Sequence, residues 1–228
     1  MHETPHIVSD VMTRQVVAVR RGAPFKEVVR TLGQWRVSAL PVLAGEGRVI
    51  GVVSEADLLP KEEFRDRAQS LYEQYQRLAD VAKAGAVTAE EVMSSPAVTV
   101  HPDVTLAQAA RIMAVRHVKR LPVVDDEGML KGIVSRGDLL KVFLRPDEDI
   151  EEEVRRTVVS YLFPALSHTI HVDVHEGVVT LRGQVQDTSL VSVAVRLAGA
   201  VEGVVDVEPC LTGESGPLAT PESTESTQ

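Results

Sequence analysis

The chain has 228 residues, of which 44% are hydrophobic and 25% charged, and its formal net charge is −9. This length suits one or two globular domains, and the negative charge argues against a nucleic-acid-binding surface and against docking to anionic lipid by charge alone. The single cysteine, Cys210, excludes an internal disulfide and a metal cluster built only from cysteine.

The N-terminal residues lack the basic stretch and apolar core of a signal peptide. No apolar run approaches the roughly 20 residues that a membrane span needs. These two observations predict a cytoplasmic protein.

The first 140 residues contain an internal repeat. Residues 11–59 align without a gap with residues 92–140, and 17 of the 49 paired positions are identical. The identities cluster in three motifs: Val-Met at 11–12 and 92–93, Leu-Pro-Val at 40–42 and 121–123, and Gly-x-Val-Ser-x-x-Asp-Leu-Leu at 51–59 and 132–140. One unit of about 50 residues buries too little surface to be stable alone. We therefore expect the two copies to pack together, with binding sites in the clefts between them.

Each repeat is predicted to have the order β-α-β-β-α. A short β-rich run, Val16–Val19 or Ala97–Val100, precedes a helix. Pro24 stands near the start of that helix in the first copy, and Thr105 and Gln108 have capping-box spacing in the second. Two strands then lead to a short helix that begins at a serine. The strands are Ala39–Leu43 and Val49–Ser54, then Leu121–Val124 and Leu130–Ser135.

Residues 60–87 have no counterpart in the second copy. Apolar residues recur there at three- and four-residue steps among charged ones, which predicts an amphipathic helix. They are Phe64, Ala68, Leu71, Tyr75, Leu78 and Ala82. We interpret the segment as a helical connector packed on the repeats, with a partner-binding helix as the alternative.

A third unit follows, with the predicted order α-β-β-α-β. Its elements are a helix at Ile150–Phe163, strands at Thr169–His175 and Val178–Val185, a helix at Ser189–Ala200 and a strand at Val204–Leu211. Cys210 lies in the last strand, and we expect it to be a small buried apolar residue rather than a nucleophile. Residues 214–228 contain almost nothing apolar and are predicted to be disordered.

Two Ser-x-x-Asp motifs, Ser54/Asp57 and Ser135/Asp138, stand where a strand turns into a helix. Such a motif can simply cap the helix. It can also bind a nucleotide, because a helix N-terminus favours phosphate and a carboxylate accepts hydrogen bonds from ribose hydroxyls. The motif alone favours capping, but its occurrence in both copies of the repeat favours binding.

Residues 8–144, with these repeated motifs, resemble a tandem CBS-domain pair, or Bateman module. The resemblance implies two repeats packed through their sheets about a pseudo-twofold axis. It also implies two clefts that bind adenosine nucleotides such as AMP, ADP, ATP or S-adenosylmethionine. It assigns ribose binding to Asp57 and Asp138, and ribose or phosphate contacts to Ser54 and Ser135. It assigns base contacts to Val16, Ala97 and Val98 and to the strand residues Leu40, Pro41, Leu121 and Pro122.

The two copies differ just before Leu-Pro-Val, where many nucleotide-binding members of the family carry basic residues. The second copy has Lys119 and Arg120 where the first has Ser38 and Ala39. Lys119 and Arg120 either contact phosphate or belong to a solvated surface. Asp138→Ala should weaken nucleotide binding, and Asp57→Ala should weaken it less if the cleft that Asp57 serves lacks phosphate contacts. Which cleft the basic residues face stays open.

Residues 149–213 resemble a BON domain, through Gly177-Val-Val-Thr-Leu-Arg-Gly183 and Val201-Glu-Gly-Val-Val-Asp-Val207. The resemblance implies an association with phospholipid or ligand, often in envelope proteins. Within this unit His171, Asp173 and His175 share one strand face and are zinc-ligand types. We interpret them as the solvent-facing side of the strand, because same-face neighbours sit about 6–7 Å apart.

The predicted organisation is an α+β fold in five segments. They are CBS repeat 1 at 8–59, a helical connector at 60–87, CBS repeat 2 at 88–144, the BON domain at 149–213 and the tail at 214–228. The sequence lacks a Gly-rich phosphate loop, a nucleophile elbow and a His-Glu-x-x-His motif, so we predict no catalysis, no metal and no required cofactor.

We predict a non-catalytic regulatory protein that senses an adenosine nucleotide between the CBS repeats and relays it to the BON domain or a partner. A homodimer through the CBS helices is expected, with Trp35 as an anchor. The alternative is a lipid- or envelope-associated scaffold that uses the BON domain, with the CBS pair as a dimerisation platform.

Overall fold

A computed structural model describes residues 6–63 and 78–213. The chain divides into two compact units, one formed by residues 5–139 and the other by the residues from 140 onward. The predicted connector residues Phe64, Ala68, Leu71 and Tyr75 and the predicted tail at 214–228 lie outside the described residues. No helix in the described ranges is long and apolar enough to span a bilayer.

The first unit contains eight described helices and five strands. Its helices are α1 (Val8–Val11), α2 (Phe25–Trp35), α3 (Glu55–Leu58), α4 (Pro60–Glu63), α5 (Leu78–Gly85), α6 (Ala89–Val92), α7 (Leu106–Val115) and α8 (Arg136–Leu139). Its strands are β1 (Val19–Arg20), β2 (Ala39–Ala44), β3 (Arg48–Ser54), β4 (Arg120–Val124) and β5 (Leu130–Ser135). One sheet has the order β1-β2-β3, and the other is the pair β4-β5.

The two repeats fold alike, as the sequence predicts. Antiparallel pairing sets Ala39 opposite Ser54 in one repeat and Arg120 opposite Ser135 in the other. Each ladder also shifts register at the end of its Leu-Pro-Val motif. The predicted helix starts are confirmed, with Pro24 as the N-cap of α2 and Thr105 as the N-cap of α7. The mixed α+β fold class is therefore confirmed.

The first strand of each repeat is shorter than predicted. In the first repeat only Val19–Arg20 forms a strand, parallel to β2. In the second, Val100 makes an isolated parallel bridge to Val123. The other residues of the predicted runs make no sheet ladder, although their apolar composition resembles a strand.

Each repeat extends its Val-Met segment across the other repeat. Thr13 exchanges two backbone hydrogen bonds with Ile133, of 2.9 and 3.0 Å. Ser94 does the same with Val52, at 2.9 and 3.1 Å. The pairs are equivalent under the 81-residue offset of the repeat, so the two repeats are related by an approximate twofold axis.

The repeated glycine lies beneath this crossing. A Cβ on Gly51 would stand 2.9 Å from Cγ of Met93 and 3.0 Å from the carbonyl oxygen of Ser94. A Cβ on Gly132 would stand 2.5 Å from Sδ of Met12. All three distances are well inside van der Waals contact, so the repeated glycine and the repeated Val-Met pair form one packing arrangement.

The helices that open the repeats are also exchanged. Ala89 and Val92 of α6, which opens the second repeat, are fully buried in the core of the first repeat, together with Val28 and Leu40. In turn Val8 of α1 donates its N–H to the carbonyl of Val104, at 2.8 Å. Each repeat is therefore completed by a helix from the other.

The C-terminal unit has the predicted order α-β-β-α-β. A 3₁₀ segment (Leu140–Leu144) precedes α9 (Asp147–Val154), a π-helical turn (Arg155–Val159) and α10 (Ser160–Leu162). The predicted single helix at 150–163 is therefore three successive helical pieces. They are followed by β6 (His171–His175), β7 (Val178–Val185), α11 (Ser189–Ala198) and β8 (Asp206–Gly213). The sheet order is β6-β7-β8, with β6 and β7 antiparallel and β7 and β8 parallel.

The helices cover one face of this sheet. Val179 and Leu181 of β7 are fully buried there. Cys210 is exposed, so the prediction that it is buried is wrong. Val207 and Leu211 pack against the core, and Cys210 points to the opposite face because side chains alternate along a strand.

Segment 145–148, which precedes the predicted BON domain, packs against the rest of the C-terminal unit. Arg145 pairs with Glu153 at 2.8 Å and donates to the carbonyl of Glu202 at 2.7 Å. The Asp147 carboxylate accepts the backbone N–H groups of residues 176 and 177, at 2.7 and 2.9 Å. These contacts fasten the start of α9 to the β6–β7 turn.

Candidate functional site

A cleft of about 340 Å³ lies between the two repeats; we call it the Asp57 cleft. The first repeat contributes the start of β2, two residues of β3 and the first turn of α3. The second contributes two segments, at 94–98 and 117–120. The lining residues are Ser38, Ala39, Val52, Ser54, Glu55, Ala56, Asp57, Ser94, Pro96, Ala97, Val98, His117, Val118, Lys119 and Arg120. The cleft therefore combines an acidic turn, a small apolar wall and a basic segment.

The acidic turn is built by the Ser-x-x-Asp motif. The Asp57 Oδ2 atom accepts the Ser54 backbone N–H at 2.8 Å and the Ser54 hydroxyl at 2.6 Å. These bonds fix the carboxylate at the first turn of α3, which is the capping geometry. The same geometry holds the carboxylate at the wall of the cleft, so capping and binding are compatible.

The second oxygen of Asp57 also has partners. Oδ1 accepts the Ser94 hydroxyl at 3.1 Å and forms an ion pair with the Lys83 ammonium group from α5. Burial raises the pKa of the Asp57 carboxyl, but the hydrogen bonds from Lys83 and Ser54 outweigh burial and hold the pKa below its usual value. Asp57 is therefore an anion at neutral pH.

The second motif repeats this turn. Asp138 Oδ2 accepts the Ser135 N–H at 2.9 Å and the Ser135 hydroxyl at 2.7 Å. Neither residue lines the Asp57 cleft. By the repeat symmetry they occupy the equivalent position on the other side of the pair.

The second repeat contributes basic residues to the cleft that contains the Asp57 carboxylate. His117, Lys119 and Arg120 all line the Asp57 cleft. Arg120 donates a hydrogen bond to the Ser38 hydroxyl. Burial lowers the pKa of the Arg120 guanidinium, and the nearby carboxylates of Glu55 and Asp138 oppose that shift. Arg120 therefore interacts electrostatically with carboxylates of both repeats.

This geometry agrees with the family comparisons. A profile of the CBS domain matches residues 8–61 and 89–145, and a profile of the BON domain matches residues 146–212. The chain is a CBS-domain protein with a C-terminal BON domain. The cleft described above therefore lies between the two repeats of a CBS pair.

Relatives match the CBS pair. An uncharacterized protein of Methanocaldococcus jannaschii is 29% identical over an alignment of 154 residues, and the match covers 60% of this chain and 91% of that protein. The CBS domain-containing protein YhcV of Bacillus subtilis is 31% identical over 132 residues, 58% of this chain and 81% of YhcV. The crystal structure of CBSX2 from Arabidopsis thaliana in complex with AMP aligns with a TM-score of 0.54 at 27% identity, over 61% of this chain and 97% of CBSX2.

The CBS pair brings together part of the set of residues predicted to bind. Six of them line the Asp57 cleft: Ser54, Asp57, Ala97, Val98, Lys119 and Arg120. The strand residues do not line it. Leu40 and Leu121 are fully buried, and Pro41 and Pro122 are buried as well. Val16 lies outside the cleft, half-buried.

Ser38, Ser94 and Lys83 are among the polar residues at this site that sequence reasoning did not predict to bind. Ser38 aligns with Lys119 in the repeat, so the internal symmetry could have indicated it. Ser94 follows the Val-Met motif, which crosses between repeats. Lys83 lies in the segment without a counterpart, 26 residues from Asp57, and no repeat signal pointed to it.

The candidate metal ligands of the BON domain lie on the outer face of its sheet. His171, Asp173 and His175 are exposed along β6. Within residues 6–63 and 78–213, no group of three His, Cys, Asp or Glu side chains is arranged to hold a metal ion.

Proposed function

We propose that this protein is a non-catalytic regulator that binds an adenosine nucleotide in the Asp57 cleft. The proposal rests on one observation. A hydrogen-bonded carboxylate from one repeat and three basic residues from the other line the same cleft, whose volume is about 340 Å³. That volume is within the range of small-molecule sites. The alignment with an AMP-bound CBS pair supports the choice of an adenosine ligand.

In this proposal each part of the nucleotide has its own partners. The ribose hydroxyls donate to Asp57, and the adenine ring packs against the apolar wall that includes Ala97 and Val98. The phosphate contacts Lys119 and Arg120, because cationic side chains form short, strong hydrogen bonds with phosphate oxygens. This placement favours AMP, ADP or ATP over S-adenosylmethionine, whose sulfonium is cationic.

The first experiment is calorimetry of the full chain with these four ligands. Asp57→Asn should weaken AMP binding roughly ten- to hundredfold, since hydrogen bonds to a charged group are lost. Asp10→Asn is the control, because Asp10 accepts the Ile7 N–H at a helix start outside the cleft, at 3.0 Å. Equal AMP affinity in Asp57→Asn and the parent, with both folded, would contradict the proposal.

The basic residues are tested by comparing AMP with adenosine. Lys119→Ala should weaken AMP binding more than adenosine binding, because only AMP carries a phosphate. Lys26→Ala, an exposed lysine of α2 outside the cleft, should change neither affinity. The basic residues line the cleft of Asp57, so we now expect Asp57→Ala to weaken nucleotide binding more than Asp138→Ala does.

Two parts of the predicted function remain predictions from the sequence. The first is the relay of binding to the BON domain or to a partner. The second is the homodimer, for which Trp35 is 57% exposed on α2 and available as an anchor. Light scattering should give twice the 24.8 kDa chain mass, and a monomer mass at micromolar concentration would argue against the dimer.

A further inference from the structure

The Asp57 carboxylate already has four hydrogen-bond donors. Oδ2 accepts the backbone N–H and hydroxyl of Ser54, and Oδ1 accepts the Ser94 hydroxyl and the Lys83 ammonium. A carboxylate offers about four acceptor positions in total. The hydroxyls of a ribose can therefore bind this carboxylate only after a donor that is now present has left.

The four donors differ in how readily they leave. The Ser54 N–H is backbone at the start of α3 and is held by the chain. The two serine hydroxyls lie on short side chains. Lys83 is different, because its ammonium stands at the end of a flexible four-carbon stem and forms the only charged contact among the four. It is also sheltered, since the side chains of Lys83 and Asp57 are 21% and 11% exposed.

Lys83 comes from α5, which other contacts hold in place. The Lys61 ammonium donates to the carbonyls of Ala84 and Ala86, at 3.1 and 2.6 Å. The end of α5 is thereby fastened to α4, and Lys83 is held over the turn that carries Asp57. Residues 60–87 have no counterpart in the second repeat. Lys83 therefore belongs to the Asp57 cleft and has no equivalent in the sequence of the second repeat.

We propose that Lys83 is an internal competitor for the ribose position and sets the affinity of the Asp57 cleft for ribose-bearing ligands. A nucleoside must displace the ammonium from Oδ1 before its hydroxyls reach the carboxylate. Occupancy of the cleft is thereby coupled to α5, whose contact with Asp57 is lost when the ligand binds. This inference rests on the proposed adenosine site and names the residue that limits its affinity.

The test measures the binding of two neutral ligands by calorimetry. Adenosine carries both ribose hydroxyls, and 2′,3′-dideoxyadenosine carries neither. Lys83→Met should tighten adenosine binding by roughly ten- to hundredfold and leave dideoxyadenosine binding unchanged. Lys26→Met is the matched control, because Lys26 is exposed on α2 outside the cleft, and it should not tighten adenosine binding.

A second measurement uses the unaltered chain and does not depend on how a variant folds. Mass spectrometry gives the rate at which an amine-reactive reagent modifies each lysine. Saturating AMP should raise the rate at Lys83, since the ammonium has been released from Asp57, and should leave the rate at Lys61 unchanged.

The outcomes separate this inference from the proposed function. If adenosine binds the parent and Lys83→Met equally, or if both ligands gain equally, competition at the carboxylate is overturned while the nucleotide site stands. If AMP binds and the reactivity of Lys83 does not rise, the competition is also overturned. If neither adenosine nor AMP binds the parent or either variant, the nucleotide site and this inference fail together.

Discussion

Replacing Gly51 with alanine tests the crossing between the repeats. The added Cβ would lie 2.9 Å from Cγ of Met93 and 3.0 Å from the Ser94 carbonyl oxygen. Met93 would have to change conformation, and the Ser94 backbone, which exchanges two hydrogen bonds with Val52, would have to shift. Overpacking of this kind costs about 1–3 kcal/mol, so we expect the free energy of unfolding to fall by that amount.

Gly33→Ala provides a matched control in the same unit. Gly33 lies inside α2, and a Cβ there would meet nothing within 4 Å. Alanine is the better helix former by about 0.5–1 kcal/mol, so this variant should gain stability. The two substitutions add the same methyl group and should change stability in opposite directions.

Urea denaturation followed by tryptophan fluorescence is the assay. Trp35 is the single tryptophan of the chain and belongs to the unit that contains Gly51, so the signal reports on the CBS pair alone. If Gly51→Ala unfolds at the same urea concentration as the parent, or if Gly33→Ala loses as much stability, the packing argument for the crossing is refuted.

Three further predictions concern the rest of the molecule. Gly132→Ala should lose about 1–3 kcal/mol in the same assay, because its Cβ would lie 2.5 Å from Sδ of Met12; an unchanged midpoint would show that the repeats are not equivalent there. Arg145→Met should destabilise the C-terminal unit by about 1–3 kcal/mol by removing its pair with Glu153, and unchanged amide hydrogen exchange in β7 would contradict this. The folded-state pKa of Asp57 lies below its ordinary value of 3.8, so its ionised form contributes stability at neutral pH that is lost as pH falls from 3.8 through the folded pKa. The stability difference between the parent and Asp57→Asn should therefore close over that pH range, and a constant difference would be inconsistent with the ion pair.

The repeat made much of the CBS pair predictable from the sequence. The paired strands and the helix that begins after Ser54 follow from local patterns that occur twice. The Asp57 turn was predicted for the same reason, because a strand-to-helix turn is a local structure.

The residues that line the cleft were harder to predict. Leu40 in β2 and Leu121 in β4 lie close in sequence to residues that line the cleft, but alternation along each strand buries both side chains. Lys83 reaches the site through a tertiary contact that the amphipathic pattern of its helix does not encode. The burial of Cys210 was wrongly predicted for a related reason. Which side chains of an edge strand are buried depends on which face of the sheet the helices cover.

The exchanged opening helices impose an order on folding during synthesis. The core of the first repeat includes Ala89 and Val92, which are translated after that repeat is otherwise complete. Domains generally fold as units as they emerge from the ribosome. Residues 8–59 emerging alone would therefore leave an apolar face uncovered until about residue 92 has left the ribosome. The second repeat in turn needs α1, which is translated before it.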